Sequence, residues 1–211
     1  MINIVTALHC EAKPVISHFK LRQYQCDSGF NIFINDSISL IVTGVGKLLS
    51  SAGTAYLQGR MDSNSNTPWL NIGIAGHSNH EVGCGFLVRK ITDAETGENW
   101  HPVLPVKADI HSTKLITFNK PNQNYDNDNS LYDMEAAGFY TAASRFSTTA
   151  LIQCYKVVSD NDCQSAKNIT KNSVENMIGQ KIPDIEQIII KLEELTKQLQ
   201  PLNHLPTVRT R

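Results

Sequence analysis

No run of basic residues occurs before the last few positions of this 211-residue chain, and 19 Lys and Arg nearly cancel 20 Asp and Glu. Nucleic acid and charged membrane surfaces are therefore not expected as partners. No apolar stretch approaches the ~18 residues that a membrane-crossing helix needs. No charged leader with a cleavage site precedes the opening strand-like run. The five cysteines, at positions 10, 26, 84, 154 and 163, are odd in number and include no C-x-x-C pair. That excludes a disulfide framework and a cysteine-built zinc site as expectations, and it fits reduced thiols in the cytoplasm. The G-x-G-x-x-G fingerprint is missing as well, because GVGKLL has no third glycine in place. His77 and His80 form an H-x-x-H pair with no further ligand nearby in sequence, so neither a metal nor another cofactor is expected.

What the chain does have is apolar content, 41%, enough for the core of one domain over residues 1–199, with 200–211 expected as a frayed tail. INIVTAL (2–8) is a β-branched run, and HCEAKPVISHF after it reads as a helix. FNIFIND and ISLIVTGVG read as strands, KLLSSAGTAYLQG as a helix, and WLNIGIAG and CGFLVRKIT as strands. KLITF (114–118) is a short strand before a polar loop from Asn119 to Ser130, in which seven of twelve residues are Asn or Asp. Such a loop is expected to be mobile without ligand and to close over a site. TALIQCYKVVSD is a further strand, and IPDIEQIIIKLEELTKQL an amphipathic helix with Ile185, Ile188, Ile189, Leu192 and Leu195 on one stripe. Apolar strands alternating with helices predict an α/β fold: a single domain with a central mixed, largely parallel twisted sheet flanked by helices. In such sheets ligands lie beyond the carboxyl ends of the strands. Glu11, the Gly44/Gly46 turn, the Gly73/Gly76 turn and Ser159-Asp160 all follow a strand, so the fold would gather them on one edge.

The stretch LYDMEAAGFY (131–140) poses a question. It reads as the start of a buried helix, with Ser130 and Asp133 matching the S-x-x-[DE] capping box. On that helix Glu135 falls on an apolar face, where a carboxylate needs a polar partner, either a structural cation or a ligand. Singly, Glu11 reads as a first-turn acid at a helix dipole and Asp160 as a turn or cap acid. Three acids, each at a strand edge or on an apolar face, make a stronger set.

The segments ALHCEAKP, TGVGK, LNIGIAGHSNHEVG, DMEAAGFY and VVSD, in this order, resemble the nucleoside phosphorylase/uridine phosphorylase superfamily. They are most similar to the methylthioadenosine/S-adenosylhomocysteine nucleosidases. The resemblance implies hydrolysis of the N-glycosidic bond of a purine nucleoside, adenine-type and 5′-substituted, by a cytoplasmic homodimer. It implies that Glu135 binds the ribose hydroxyls with Met134 against the sugar. Asp160, with Ser159 beside it, would protonate the leaving base, and Glu11 would activate water. Ile74, Gly76 and Phe118 would contact the substrate. Ile74 stands where such nucleosidases commonly have Ser, and His77 replaces a glycine. Two alternatives stand beside this reading: a phosphate-dependent phosphorylase of the same fold, and a nucleoside-binding protein without catalysis. Where phosphorylases carry an arginine and a serine for phosphate, this chain has Asn71 and Ile74.

Overall fold

The run INIVT forms β1 (Ile2–Thr6) with all five side chains buried, as a strand covered on both faces requires. The computed structural model describes residues 1–26, 28–61, 63–104, 110–122, 125 and 129–199. The expected tail at 200–211 lies outside the described residues, and so do 123–124 and 126–128 of the polar loop whose mobility was expected. Helix α1 (His9–Phe19) ends where Lys20 takes a left-handed φ of 55°. Three strands, β2 (Arg22–Tyr24), β3 (Asn31–Ile34) and β4 (Ile38–Val42), form an antiparallel meander. Helix α2 (Lys47–Arg60) follows the Gly44/Gly46 turn. Then come β5 (Trp69–Gly76), β6 (Gly85–Asp93), the two-residue β7 (Asn99–Trp100) and β8 (Ser112–Thr117). The chain continues through β9 (Ser130–Asp133), α3 (Ala136–Ala143), β10 (Ile152–Asp160), α4 (Lys171–Gln180) and α5 (Ile182–Leu199).

The strands form one mixed sheet in a single α/β domain. β5 runs parallel to β1 on one side and to β10 on the other, and β1 runs parallel to β4. β10 also pairs antiparallel with β6, β6 parallel with β8, and β8 parallel with β9, while β9 returns to β5 through Gly76 and Tyr132. These five strands close into a ring, from which β1, β4, β3 and β2 extend outward. Helices α1, α4 and α5 bury Val15, Ile178 and Ile185 against Leu70, Ile72 and Tyr155. Helices α2 and α3 bury Leu57 and Phe139 with Trp69 in a second cluster. The stripe expected on α5 is buried at Ile185, Ile188, Ile189 and Leu192, with Leu195 packed partly buried against the same core.

The stretch from Leu131 does not open a helix. Ser130–Asp133 is β9, in register with β8 from Lys114↔Ser130 to Thr117↔Asp133, and α3 begins at Ala136 with Glu135 at its N-cap. A vacant slot between β8 and β5 satisfies this backbone, and long-range pairing overrides the local helix signal. Ser130 is therefore no cap, although Asp133 does accept the Ala136 N–H at 2.9 Å. Helix α4 lacked an expectation, yet its buried Val174, Met177 and Ile178 follow helical spacing after the N-cap residue Thr170.

Helix α3 crosses the start of α2 so closely that a Cβ at Gly138 would overlap the Lys47 carbonyl. This approach brings the Gly46 N–H to 2.8 Å from Glu135 Oε1. Gly138→Ala should force the helices apart, at a cost of about 1–3 kcal/mol typical of an overpacked contact. For a chain of this size that lowers Tm by roughly 2–12 °C, scaling ~2–4 °C per kcal/mol. Thermal denaturation followed by circular dichroism measures it, and an unchanged Tm would disprove the tight crossing.

Candidate active site

All eight residues singled out in the sequence, Asp160, Glu11, Glu135, Met134, Ser159, Gly76, Ile74 and Phe118, line one cavity of about 200 Å³ at the carboxyl ends of β1, β5, β9 and β10. The local backbone explains why. β1 ends at Thr6, and Glu11 in the first turn of α1 folds back so that Oε2 accepts the Ala7 and Leu8 N–H groups at 3.0 and 2.8 Å. Its Oε1 accepts the Ile74 N–H at 2.9 Å, tying α1 to β5. Glu11 thus does the helix-capping work read for it as a first-turn acid, and it also reaches the cavity. Burial pushes its pKa up, opposed by the Lys156 ammonium and by these three amides.

Strand β10 delivers Ser159 and Asp160 together. Consecutive strand residues point to opposite faces, but the β10–β5 register shifts between Val158 and Asp160. This bulge turns both neighbours to one cavity. Ser159 Oγ donates to Asp160 Oδ1, and the Tyr125 hydroxyl donates to Oδ2. Phe118 stacks on Tyr132 at 5.4 Å with 17° between the planes, giving the cavity a flat aromatic wall. His77 and His80 lie outside this lining. His77 Nδ1 accepts the Asn79 and His80 N–H groups at 3.0 Å each, so that nitrogen holds the loop.

Glu135 finds its first partners in the protein itself. As the N-cap residue of α3 it accepts the Gly46 N–H through Oε1, and Lys156 attracts it. Burial, and then the neighbouring Asp133 carboxylate, push its pKa up to about 7.

Lys156 is the residue that sequence reasoning missed. It lies in the middle of β10 at 1% exposure, with Nζ 2.9 Å from Asp133 Oδ2. Asp133 is held in turn by the Thr117 hydroxyl at 2.7 Å and the Ala136 N–H. Burial pulls the Lys156 pKa down, but Asp133, Glu135, Cys154 and Glu11 outweigh it and raise the pKa overall, so the ammonium is retained. The signal was present in QCYKVVSD, a single cation inside an apolar strand, which needs a buried anion. Gly73 leaves the space between the two charges: a Cβ there would stand 3.1 Å from both Glu11 Oε1 and Lys156 Nζ. Lys47, the cation beside the glycine turn, is drawn instead to Asp93 and Glu95 at 2.9 and 2.5 Å. Asn71, the other position weighed for phosphate, donates to the Val5 carbonyl at 3.0 Å.

No protein-family model matches the chain, and no curated protein matches its sequence. Solved structures match its fold. An MTA/SAH nucleosidase superposes with a TM-score of 0.71 at 15% identity, over 91% of this chain and 95% of that one. The 5′-methylthioadenosine/S-adenosylhomocysteine nucleosidase of Neisseria meningitidis, solved with methylthio-immucillin-A, gives 0.68 at 12% identity over 90% and 98%. The MTAN of Chlamydia trachomatis gives 0.63 at 19% identity over 89% and 98%. The chain has the fold of the MTA/SAH nucleosidases.

The raised pKa of Glu135 has a measurable consequence for stability. Below pH ~4.5 the carboxyl is protonated both folded and unfolded. Between there and pH ~7 the unfolded chain releases the proton while the folded one keeps it, so stability falls as pH rises through this window. Glu135→Gln keeps an acceptor for the Gly46 N–H and removes the ionisation. It should match the wild type near pH 4.5 and exceed it by roughly 3 kcal/mol above pH 7, from ~1.4 kcal/mol per pKa unit. Urea unfolding across pH 4.5–8 measures this, and a gap that does not widen with pH refutes it.

Proposed function

We infer that the chain is a nucleosidase that hydrolyses the N-glycosidic bond of a purine nucleoside. The observation that carries this reading is the convergence of Glu11, Glu135 and Asp160 on one cavity with a flat aromatic wall. Breaking this bond develops positive charge on the ribose and negative charge on the base, so the reaction needs an acid at the base and a base for water. Asp160 is the acid at the leaving base, with Ser159 orienting its other oxygen. Glu11 is the base for the attacking water, and burial, by raising its pKa, makes it a stronger proton acceptor. Glu135 receives the ribose hydroxyls with Met134 beside the sugar, and Ile74, Gly76 and Phe118 line the rest. A carboxylate held at an unfavourable pKa suits a binding group that gains its partners from the ligand. Leu8, Val45 and Ile169 give the cavity an apolar side, which supports an adenine-type nucleoside with an apolar 5′ substituent. The five cysteines are free, in keeping with a reducing cytoplasmic setting.

Water is preferred over phosphate as the nucleophile. A phosphate dianion entering the cavity needs charge-assisted donors. Lys156 is already paired with Asp133, and Lys47 with Asp93 and Glu95. Glu11 beside the reacting carbon also repels a dianion. A binder without catalysis would have no use for paired acids on one cavity.

The chain also pairs with a second copy in this reading. Leu48 at 86% exposure, with Leu49 and Val45, makes an apolar patch at the mouth of the cavity, and Val45 lines both. Light scattering at micromolar concentration should give the mass of a dimer, and a monomer would sink the idea.

With candidate nucleosides in phosphate-free buffer, the wild type should release free base and free sugar. Asp160→Asn should lower kcat by ~10²–10⁴, the worth of one general-acid step, with KM little changed. A nitrophenyl riboside, whose leaving group departs without a proton, should be largely spared. Equal losses on both substrates would make Asp160 structural, and strict phosphate dependence with ribose 1-phosphate as product would favour the phosphorylase.

A further inference from the structure

Tyr125 lines the cavity, on the wall beside Asp160. Its hydroxyl donates to Asp160 Oδ2, and its ring centre is 5.2 Å from that of Tyr132. The phenol also lies so close to Gly76 that a Cβ there would overlap it. Asp160 Oδ1 is meanwhile taken by the Ser159 hydroxyl. Both oxygens of Asp160 therefore accept hydroxyl hydrogens from the chain itself.

A base that reaches Asp160 needs the same ground. It is a planar ring carrying a polar atom at its edge, as a phenol is. To meet Oδ2 it must lie over Gly76 and beside Tyr132, where the Tyr125 ring stands. The two rings cannot share that space. For Asp160 to donate a proton to a ring nitrogen, the hydrogen bond it now accepts from Tyr125 must also be broken. We propose that Tyr125 is an internal ligand of the leaving-group subsite, a phenol that occupies the place of the base and must leave Asp160 before a nucleoside binds. This rests on the nucleosidase reading, which makes Asp160 the group that meets the base. Burial and the Asp160 carboxylate raise the phenol's pKa, so it stays a hydrogen-bond donor at neutral pH.

Apparent affinity in such a site is the intrinsic affinity multiplied by the fraction of molecules in which the subsite is open. Removing the phenol's hydrogen bond to a carboxylate should raise that fraction by roughly tenfold, the scale of a charge-assisted bond. The experiment is calorimetric titration of adenine into wild type, Tyr125→Phe and Tyr125→Ala, with thermal melts to confirm folding. Both variants are expected to bind adenine about tenfold more tightly, and in turnover to show a lower KM. Weaker or unchanged adenine binding in Tyr125→Ala overturns the proposal, the weaker result making Tyr125 a wall that holds the base. A second measurement needs no ligand. In protein labelled with ¹³Cζ-tyrosine, the Tyr125 resonance, assigned by its loss in Tyr125→Phe, should move in Asp160→Asn, and adenine should move it in the wild type. If Asp160→Asn leaves it in place while adenine binds and nucleosides turn over, the contact is wrong and the nucleosidase reading stands. If adenine binds none of the proteins, the base subsite and this proposal fall together.

Discussion

A buried ammonium governs this structure. Lys156 is sealed in the centre of β10, and desolvation of such a charge costs several kcal/mol unless an anion is placed against it. Asp133 is that anion, at 2.9 Å, and its position fixes others. Because the same Oδ2 accepts the Ala136 N–H, the ion pair also sets where α3 begins. The start of α3 places Glu135 against the Gly46 amide, and so places α3 against α2. On the other side of Lys156, Glu11 joins α1 to β5. One cation thus holds three acids drawn from two separate parts of the chain, Glu11 from one and Asp133 and Glu135 from the other. Replacing it with an apolar side chain would leave those acids buried together with nothing to offset their repulsion.

The acids have different relations to this centre. Asp133 is fully engaged by protein groups: a hydroxyl, an amide and the ammonium. Glu11 is engaged by three amides yet lines the cavity. Glu135 accepts the Gly46 amide at 2.8 Å and, more weakly, the adjacent Met134 amide at 3.3 Å, and burial raises its pKa to about 7. The gradient runs from a structural carboxylate to one with bonding capacity to spare, which is the order expected if the last of them meets a ligand.

Much of this was readable in the chain. Apolar runs ending in glycine or in an acid gave β1, β5 and β10 and predicted that their carboxyl ends would converge, because apolar periodicity and chain punctuation are local properties. β9 was not readable, since Ser130–Asp133 carries a local helix-capping pattern and becomes a strand only through β8 and Gly76. Asp133 was misread for the same reason: its main partner, Lys156, is distant in sequence. The rule applied to Glu135, that a buried charge demands a partner, applied equally to the lysine in QCYKVVSD and called for a buried anion, which is Asp133. The place of Tyr125 on Asp160 had no local signal, because a tyrosine in a polar loop carries no period or motif.

The ring formed by β5, β10, β6, β8 and β9 also bears on how copies of the chain can meet. A strand paired on both sides offers no free row of amides and carbonyls to another chain. Among the described residues, the outward end of the sheet is β2, three residues long and carrying an exposed arginine at its start, and the side branch β7 has only two residues. Short, charged edges of this kind discourage strand addition. Strand addition, which can propagate without limit, is thereby disfavoured as a way for copies of the chain to join.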